Sequence, residues 1–257
     1  MIRTRITFLG SGTSMGVPTI GCRCRVCHSS DPHDRRTRPS LLLQYAGHAV
    51  VIDTTPDFRE QALRVGLQRL DAVLYTHGHA DHILGLDDIR PFNIWQGRDI
   101  PIYANQETLD IIRHTFRYIF GQASTYSTVP GVATHLIDGP LALFGVTFTP
   151  VPAWHGEMEV LGFRFGRAAY MTDFHEIPES SPKMLEDLDV LVLDALRHEP
   201  HPTHSNVAQS LLLVERLRPR QTFFTHICHD LPHEETNRAL PADVQLAYDG
   251  LTLEVEA

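Results

Sequence analysis

Short apolar runs recur along the chain between polar turns, and most have the length of a single strand. The runs that predict strands are RITFLG, the hairpin SLLLQYAGHAVVIDTT, DAVLYT, PIYA, ATHLI, LALF, VTFTPVPA, VLGFRFG, AAYMTD, DVLVLDA, QTFFTHI and LTLEVE. Amphipathic helices are predicted for PDFREQALRVGL, QETLDIIRHTFRYIF, SNVAQSLLLVERLR and PHEETNRAL. Because strands and helices intersperse, the pattern predicts one mixed α/β domain over residues 1–257.

Proline and short polar residues predict where individual helices begin and end. In DHILGLDDIRPFNIW a helix should be broken at Pro91, because proline lacks a backbone N–H donor. Ser205 or Asn206 should cap the following SNVAQSLLLVERLR helix, since such side chains accept a bond from the first free amides. His204 therefore lies directly before a helix start, where its ring can be held firmly.

The densest group of candidate functional residues is THGHADH, which follows the apolar strand DAVLYT. His77 and His79 alternate on an extended segment, so both can point at one ion. Where the chain turns into a helix, Asp81 and His82 are re-aimed and can serve a neighbouring ion. Imidazole and carboxylate groups suit Zn, Mn or Fe. A hydrogen-bonded histidine cluster is the alternative, but the full pattern directly after a buried strand favours metal.

Three further candidate ligands each follow an apolar strand. His155 comes after VTFTPVPAW, Asp173 ends AAYMTD, and His226 ends QTFFTH. Independent polar loops would not be expected to repeat this arrangement. The repetition therefore predicts that these side chains join the residues of THGHADH in one site.

A second candidate metal site is the cysteine cluster GCRCRVC in the loop at about residues 20–38. Cys22, Cys24 and Cys27 are three of only four cysteines, and under reducing conditions such spacing favours a metal over disulfides. Packed free thiols are the alternative, but the loop has little apolar cover. A tetrahedral site needs a fourth ligand, and THICHD offers Cys228 or His229.

Composition narrows the classes of partner. The 257 residues carry a formal net charge of −9, which disfavours a nucleic-acid binder. Five arginines between Arg23 and Arg38 are the local exception, and a solvated loop is favoured over a small anion-attracting patch. No apolar run is long enough to span a bilayer, and the start lacks a signal-peptide core, so a cytoplasmic protein without a membrane partner is expected.

The motif HxHxDH followed by a separated His, Asp and His resembles the metallo-β-lactamase superfamily over essentially the whole chain. The resemblance implies an α/β (α+β) fold, a four-layer αββα sandwich with the active site at one edge of its two sheets. It also implies two catalytic divalent metals, Mn or Zn. One metal would be held by His77, His79 and His155, the other by Asp81, His82 and His226, with Asp173 between them.

Within this superfamily, GSGTSMGVPTIGCRCRVC, THGHADH and THICHD resemble the PhnP-like cyclic phosphodiesterases. That resemblance implies a structural zinc held by the three cysteines and His229. It implies catalytic roles for Asp81 and for His204, the latter as general acid and phosphate ligand. The implied reaction is hydrolysis of a small cyclic phosphodiester, such as 5-phosphoribosyl 1,2-cyclic phosphate, by a metal-bridging hydroxide. The resemblance also suggests a homodimer.

Three other functions remain open from the sequence. A tRNA 3′-processing nuclease is disfavoured by the acidic balance. A thioester or lactone hydrolase of the same fold would not be expected to carry the three-cysteine loop. A non-hydrolytic carrier like PqqB shares a similar cysteine loop, but it lacks the full ligand set found here.

Overall fold

The computed structural model describes residues 2–121 and 128–257, in which two seven-stranded sheets carry the fold. The strands of the first sheet are β1 (Arg3–Gly10), β2 (Ser40–Tyr45), β3 (His48–Ile52), β4 (Ala72–Leu74), β5 (Ile100–Ala104), β6 (Val132–Leu136) and β14 (Thr252–Glu256). Those of the second are β7 (Leu141–Leu143), β8 (Val146–His155), β9 (Met158–Phe165), β10 (Ala168–Met171), β11 (Val190–Asp194), β12 (Gln221–Thr225) and β13 (Val244–Leu246). The spatial orders are β14-β1-β2-β3-β4-β5-β6 and β13-β12-β11-β10-β9-β8-β7.

Helices cover the outer faces of both sheets. They are α1 (Phe58–Arg64), α2 (Ala80–Ile83), α3 (Arg90–Gln96), α4 (Gln106–Thr115), α5 (Arg117–Phe120), α6 (Val207–Leu217) and α7 (His233–Ala239). Short 3₁₀ segments occupy Pro32–Asp34, Leu86–Ile89 and Ser181–Leu185. In the part of the chain that the structure describes, no helix has the length and apolar character needed to cross a membrane.

Three apolar cores separate four layers. Phe8 of the first sheet and Phe223 of the second pack between the sheets, with ring centroids 5.9 Å apart. On the outer face of the first sheet, Leu9 packs in a cluster with Phe58 of α1. On the outer face of the second sheet, Leu193 shares a cluster with Val214 of α6. This alternation of strand side chains between two buried faces produces the predicted αββα sandwich, which is thereby confirmed.

Every segment predicted as a strand contains one, but β13 was not predicted. The prediction at Pro91 was wrong in detail, since this proline is in the first turn of α3, where its missing N–H costs nothing. The helix predicted for QETLDIIRHTFRYIF is interrupted at Phe116. Of the two candidate caps, Asn206 begins α6, and its side chain accepts a hydrogen bond from the Gln209 amide.

The arginine-rich loop is only partly the solvated segment that its composition predicted. Arg23, Arg25 and Arg35 are exposed. Arg36 is the exception, because its side chain is fully buried and pairs with Asp34 at 3.2 Å. A charge count over a window cannot distinguish one buried, hydrogen-bonded arginine from its exposed neighbours.

Candidate metal centre and active site

The candidate site lies at the edge where strands from both sheets end. In the second sheet β10, β11 and β12 are parallel, and β8 runs in the same direction because β9 is antiparallel to both β8 and β10. In the first sheet β3 and β4 are parallel. The carboxyl ends of parallel strands share one edge, so the polar residues that follow them are brought together.

The THGHADH segment follows β4 and changes conformation at His79. His79 has an extended backbone and directly precedes α2, so Asp81 and His82 lie on the helix while His77 precedes the turn. The Nε2 atom of buried His77 lies 3.0 Å from Nδ1 of His79. The predicted change from an extended to a helical backbone within THGHADH is therefore observed.

Asp173 lies at the centre of the cluster. Its Oδ2 atom is 3.3 Å from His82 Nε2, 3.2 Å from His226 Nε2 and 3.8 Å from His77 Nε2. The Thr172 hydroxyl donates to the other carboxylate oxygen at 2.7 Å, which leaves Oδ2 facing the imidazoles.

Two groups of potential ligand atoms meet at Asp173. Within each group, the atoms all lie within 4.8 Å of one another. One group comprises Asp81, His82, Asp173 and His226, and the other comprises His155, Asp173 and His204. His155 also approaches His79, with ring centroids 5.0 Å apart. All seven residues that the sequence suggested for the dinuclear site are therefore brought to one place.

The chemistry of these side chains fits divalent cations. The Nε2 atoms of His82 and His226 are buried and have no hydrogen-bond partner among residues 2–121 and 128–257. Buried polar atoms normally find a partner, so unpaired imidazole nitrogens beside carboxylates suit a shared cation.

Protonation of the cluster is strongly perturbed. Burial lowers the pKa of His77 well below its usual value and that of His155 to about 4. Burial also opposes protonation of His226, but the negative charges of Asp173 and Asp81 outweigh it and raise its pKa to about 9. Burial acts to raise the pKa of Asp173, but the positive potential of His226 and His82 outweighs burial, so this pKa is well below its usual value. A cation bound here would compete with protons for the same atoms.

Three residues of the site have a strained backbone conformation. Asp53, Asp173 and His226 all have positive φ values, of 65°, 54° and 57°. Such conformations are uncommon for residues other than glycine and persist where the surrounding structure enforces them. Each of these residues comes directly after a strand or one residue later, so the tight turn redirects its side chain into the cluster.

Asp53 is a site residue that sequence reasoning missed. Its carboxylate accepts hydrogen bonds from the Thr76 amide and hydroxyl and lies 2.7 Å from His82 Nδ1. A carboxylate on the far nitrogen fixes the orientation of a ligating histidine and leaves its Nε2 free. The available signal was that Asp53 ends the apolar strand AVVID, as Asp173 ends AAYMTD.

Asp194 was missed in the same way, although DVLVLDA was recognised as a strand. Its Oδ2 atom lies 3.0 Å from Nδ1 of His204. The ring of His204 stacks on that of His226, with centroids 4.6 Å apart, and is mostly buried. The predicted general acid is thus oriented by a carboxylate and lies against the cluster. His198 is exposed, and His201 is partly buried with its ring centroid 5.0 Å from that of His204.

The second candidate metal site joins the N-terminal loop to the turn after β12. The Nδ1 atom of His229 lies 3.2 Å from Cys22 Sγ, 3.7 Å from Cys24 Sγ and 3.3 Å from Cys27 Sγ. Cys228 is buried apart from this group, and its Sγ accepts from the Asp230 amide. The arrangement of three thiols and one imidazole suits tetrahedral zinc.

The chain is similar to several proteins of known structure or family. A family model described as a beta-lactamase superfamily domain matches residues 48–227. The crystal structure of a diphosphatase from the PhnP family is 58% identical, with a TM-score of 0.94, and the match covers 99% of this chain and 98% of that one. Zn(2+)-bound PqqB from Methylobacterium extorquens shares the fold at 20% identity, with a TM-score of 0.80 over 98% of this chain and all of that one.

One similar protein is much longer than this chain. An octanoyltransferase of Porphyromonas gingivalis is 39% identical over 252 residues, which are 96% of this chain but 51% of that protein. The chain therefore spans about half the length of that relative. The name describes the whole longer protein, so it does not identify the activity of the matching half.

Proposed function

We propose, from the premise that this chain belongs to the beta-lactamase superfamily, that it is a PhnP-like hydrolase that cleaves a small cyclic phosphodiester with two divalent metals. The observation that carries this proposal is the sharing of Asp173 between two groups of ligand atoms, with His204 in one of them. A phosphoryl centre bound there would meet both the cations and a proton donor.

The proposed ligands combine residues of the two groups that meet at Asp173 with His77 and His79, and leave His204 to act on the substrate. His77, His79 and His155 would hold one cation, and Asp81, His82 and His226 the other, with Asp173 contributing to both. When bound, such a pair of cations would activate water at neutral pH and stabilise negative charge on the phosphoryl oxygens. Asp53 would keep the His82 ring oriented through its Nδ1 atom.

His204 would protonate the leaving oxygen. Its Nδ1 atom faces Asp194, so Nε2 is the nitrogen available to substrate. Donation from Nε2 would leave the ring neutral and release the product as an alcohol. Asp194 would hold the ring in place and stabilise its protonated form, as a carboxylate does for other acid–base histidines.

We assign Cys22, Cys24, Cys27 and His229 to a structural zinc. The three distances from His229 Nδ1 to sulfur, between 3.2 and 3.7 Å, support this assignment. His226 and His229 lie three residues apart on one turn. A zinc at the cysteines would therefore brace the turn that carries a proposed catalytic ligand.

The proposed substrate class is a small cyclic phosphodiester such as 5-phosphoribosyl 1,2-cyclic phosphate. A diphosphate is the second candidate, because the similar structure at 58% identity is described as a diphosphatase. Both reactions displace an oxygen from a phosphoryl centre, but a phosphate leaving group needs less protonation than an alkoxide, so a diphosphate would depend less on His204. A tRNA substrate is disfavoured by the net charge of −9.

The decisive experiment is an assay of Mn-loaded and Zn-loaded protein on cyclic and linear phosphodiesters, a diphosphate, a thioester and a lactone. Asp81→Ala serves as the inactive control. Turnover of the cyclic phosphodiester that is lost in the control would support the proposal, and preference for the diphosphate would support the second candidate. Turnover of only the thioester or lactone, or none with both cations bound, would refute it.

A further inference from the structure

The turn at residues 226–231, here called the ligand turn, carries both His226 and His229. Main-chain hydrogen bonds hold its backbone from two sides: the Ile227 amide donates to the Ser11 carbonyl, and the Cys228 amide donates to the Leu196 carbonyl. Both of these bonds use amide groups of the turn. The carbonyl groups of Cys228 and Leu231, which bracket His229, are held by a side chain instead.

That side chain is Arg36. Its Nη1 atom donates to the Cys228 carbonyl at 3.0 Å and its Nη2 atom to the Leu231 carbonyl at 2.8 Å. The planar fork of a guanidinium can hold two carbonyls in fixed register, which a single ammonium cannot do as well. The side chain of Arg36 is fully buried, so both carbonyls depend on it in the absence of competing solvent.

Arg36 is itself anchored to the rest of the N-terminal loop. Its backbone exchanges two 2.8 Å hydrogen bonds with Val17, and its Nη2 atom also contacts Asp34 at 3.2 Å. The same Asp34 oxygen accepts from the His233 amide at 2.9 Å, on the far side of the ligand turn. The guanidinium and its carboxylate therefore span the turn from Cys228 to His233.

We propose that Arg36 is a positioning residue for His226: by clamping the ligand turn, it presets the direction of this imidazole before any cation binds. The inference rests on the proposed dinuclear centre. It differs from the zinc brace because Arg36 contacts no thiol of the cysteine group and acts through two backbone carbonyls. Burying a guanidinium costs free energy unless its N–H groups are hydrogen-bonded. The burial of Arg36 therefore indicates a structural role for these bonds.

The test measures cation binding rather than turnover alone. Wild type, Arg36→Met and Arg36→Lys would be stripped of metal, given one zinc per chain for the cysteine site, and titrated with Co²⁺. Calorimetry gives the affinities of the catalytic site, and thiolate-to-cobalt absorption in a separate titration reports the cysteine site. Arg38→Met is the matched control, because Arg38 lies in the same loop and pairs with Asp57 but does not contact the ligand turn.

We expect Arg36→Met to weaken one of the two catalytic binding events by about 10- to 100-fold, the usual effect of removing support behind a metal ligand. Arg36→Lys should lose less, and Arg38→Met should match wild type. Saturating cation should restore kcat in Arg36→Met, because no group that touches substrate has been removed.

Unchanged catalytic affinities in folded Arg36→Met would overturn the inference, as would a lower Tm alone or a loss confined to the cysteine site. Should Arg36→Met be insoluble, Arg36→Lys decides, and wild-type affinities in that variant would overturn the inference. Failure of the proposed function alone would show as wild-type protein that binds two catalytic cations without phosphodiester turnover. Wild-type protein that binds no catalytic cation would overturn both the function and the inference.

Discussion

At the scale of single residues, this site depends on carboxylates that orient imidazoles. Asp53 serves His82, and Asp194 serves His204. Both carboxylates are completely buried, and burial raises the pKa of each, although the adjoining histidine acts in the opposite direction. Such groups are retained only where a specific partner compensates the cost of burial. Replacing either carboxylate should therefore change the orientation of its histidine more than it changes the fold.

Asp53→Asn should weaken catalytic cation binding by about 10- to 100-fold, because an amide holds the Nδ1–H of His82 less strongly than a carboxylate does. Titration calorimetry on metal-free protein measures this. Asp71→Asn is the matched control: Asp71 is also buried, but it bonds the Ala49 amide at the opposite end of β4. Equal cation affinities in Asp53→Asn and wild type would contradict the proposed role of Asp53.

His204→Ala should lower kcat by about 10²- to 10⁴-fold on a substrate with an alkoxide leaving group, which needs a proton. The loss should be smaller with a nitrophenyl ester, whose leaving group needs little protonation. His201→Ala is the control, since its ring adjoins His204 but does not contact Asp194. Equal losses with both leaving groups would rule out His204 as the general acid.

At the scale of elements, strand ends and the turns after them do most of the positioning. At one edge of their sheet, the parallel strands β10, β11 and β12 end at or just before Asp173, Asp194 and His226. The N-terminal loop adds no ligand to that cluster, but it contacts the turn after β12 through the cysteine group. An element remote from the reaction can therefore influence it through that turn.

Cys24→Ser should remove one cation per chain and lower kcat without altering the leaving-group dependence. The expected cause is a less rigid turn carrying His226, since His229 would lose its anchor. Metal content by mass spectrometry and steady-state kinetics check this together. A soluble variant that has lost one cation but keeps wild-type activity would show that the cysteine site does not support catalysis.

At the scale of the whole molecule, one exposed apolar surface stands out on the helices outside the first sheet. Leu63 of α1 and Trp95 of α3 are 65% and 80% exposed. They line a cavity of about 720 Å³ together with charged residues of both signs, among them Arg59 and Asp88. A surface that combines apolar side chains with both charges is suited to pair with its own copy across a two-fold axis.

The expected homodimer should therefore form through this surface, and Trp95→Glu should shift the mass measured by light scattering toward the monomer. Leu212→Glu is the control, because Leu212 is 67% exposed on α6, outside the other sheet. A wild-type monomer, or a Trp95→Glu variant that remains dimeric, would exclude this interface.

Much of the fold and of the candidate site could be predicted because the patterns are local. An apolar strand that ends in a histidine or aspartate is visible in the sequence, and HxHxDH and the cysteine spacing are contiguous. Asp53 and Asp194 also end apolar strands, but their roles depend on which imidazole faces them across the site. Arg36 was assigned to a solvated loop because its partners are carbonyls nearly 200 residues away, at Cys228 and Leu231.

The sequence by itself determined the mixed α/β content and the identity of the candidate ligands, and its resemblance to a known superfamily implied the layered architecture. Short, nearly continuous apolar runs indicate strands that are buried on both faces, and residue chemistry specifies which groups can bind a cation. Only the tertiary structure decided between neighbours such as Cys228 and His229, and only it paired Asp53 with His82. Those outcomes depend on tight turns in which a single residue with positive φ, such as His226, redirects its side chain. Such turns leave no periodic pattern in the sequence.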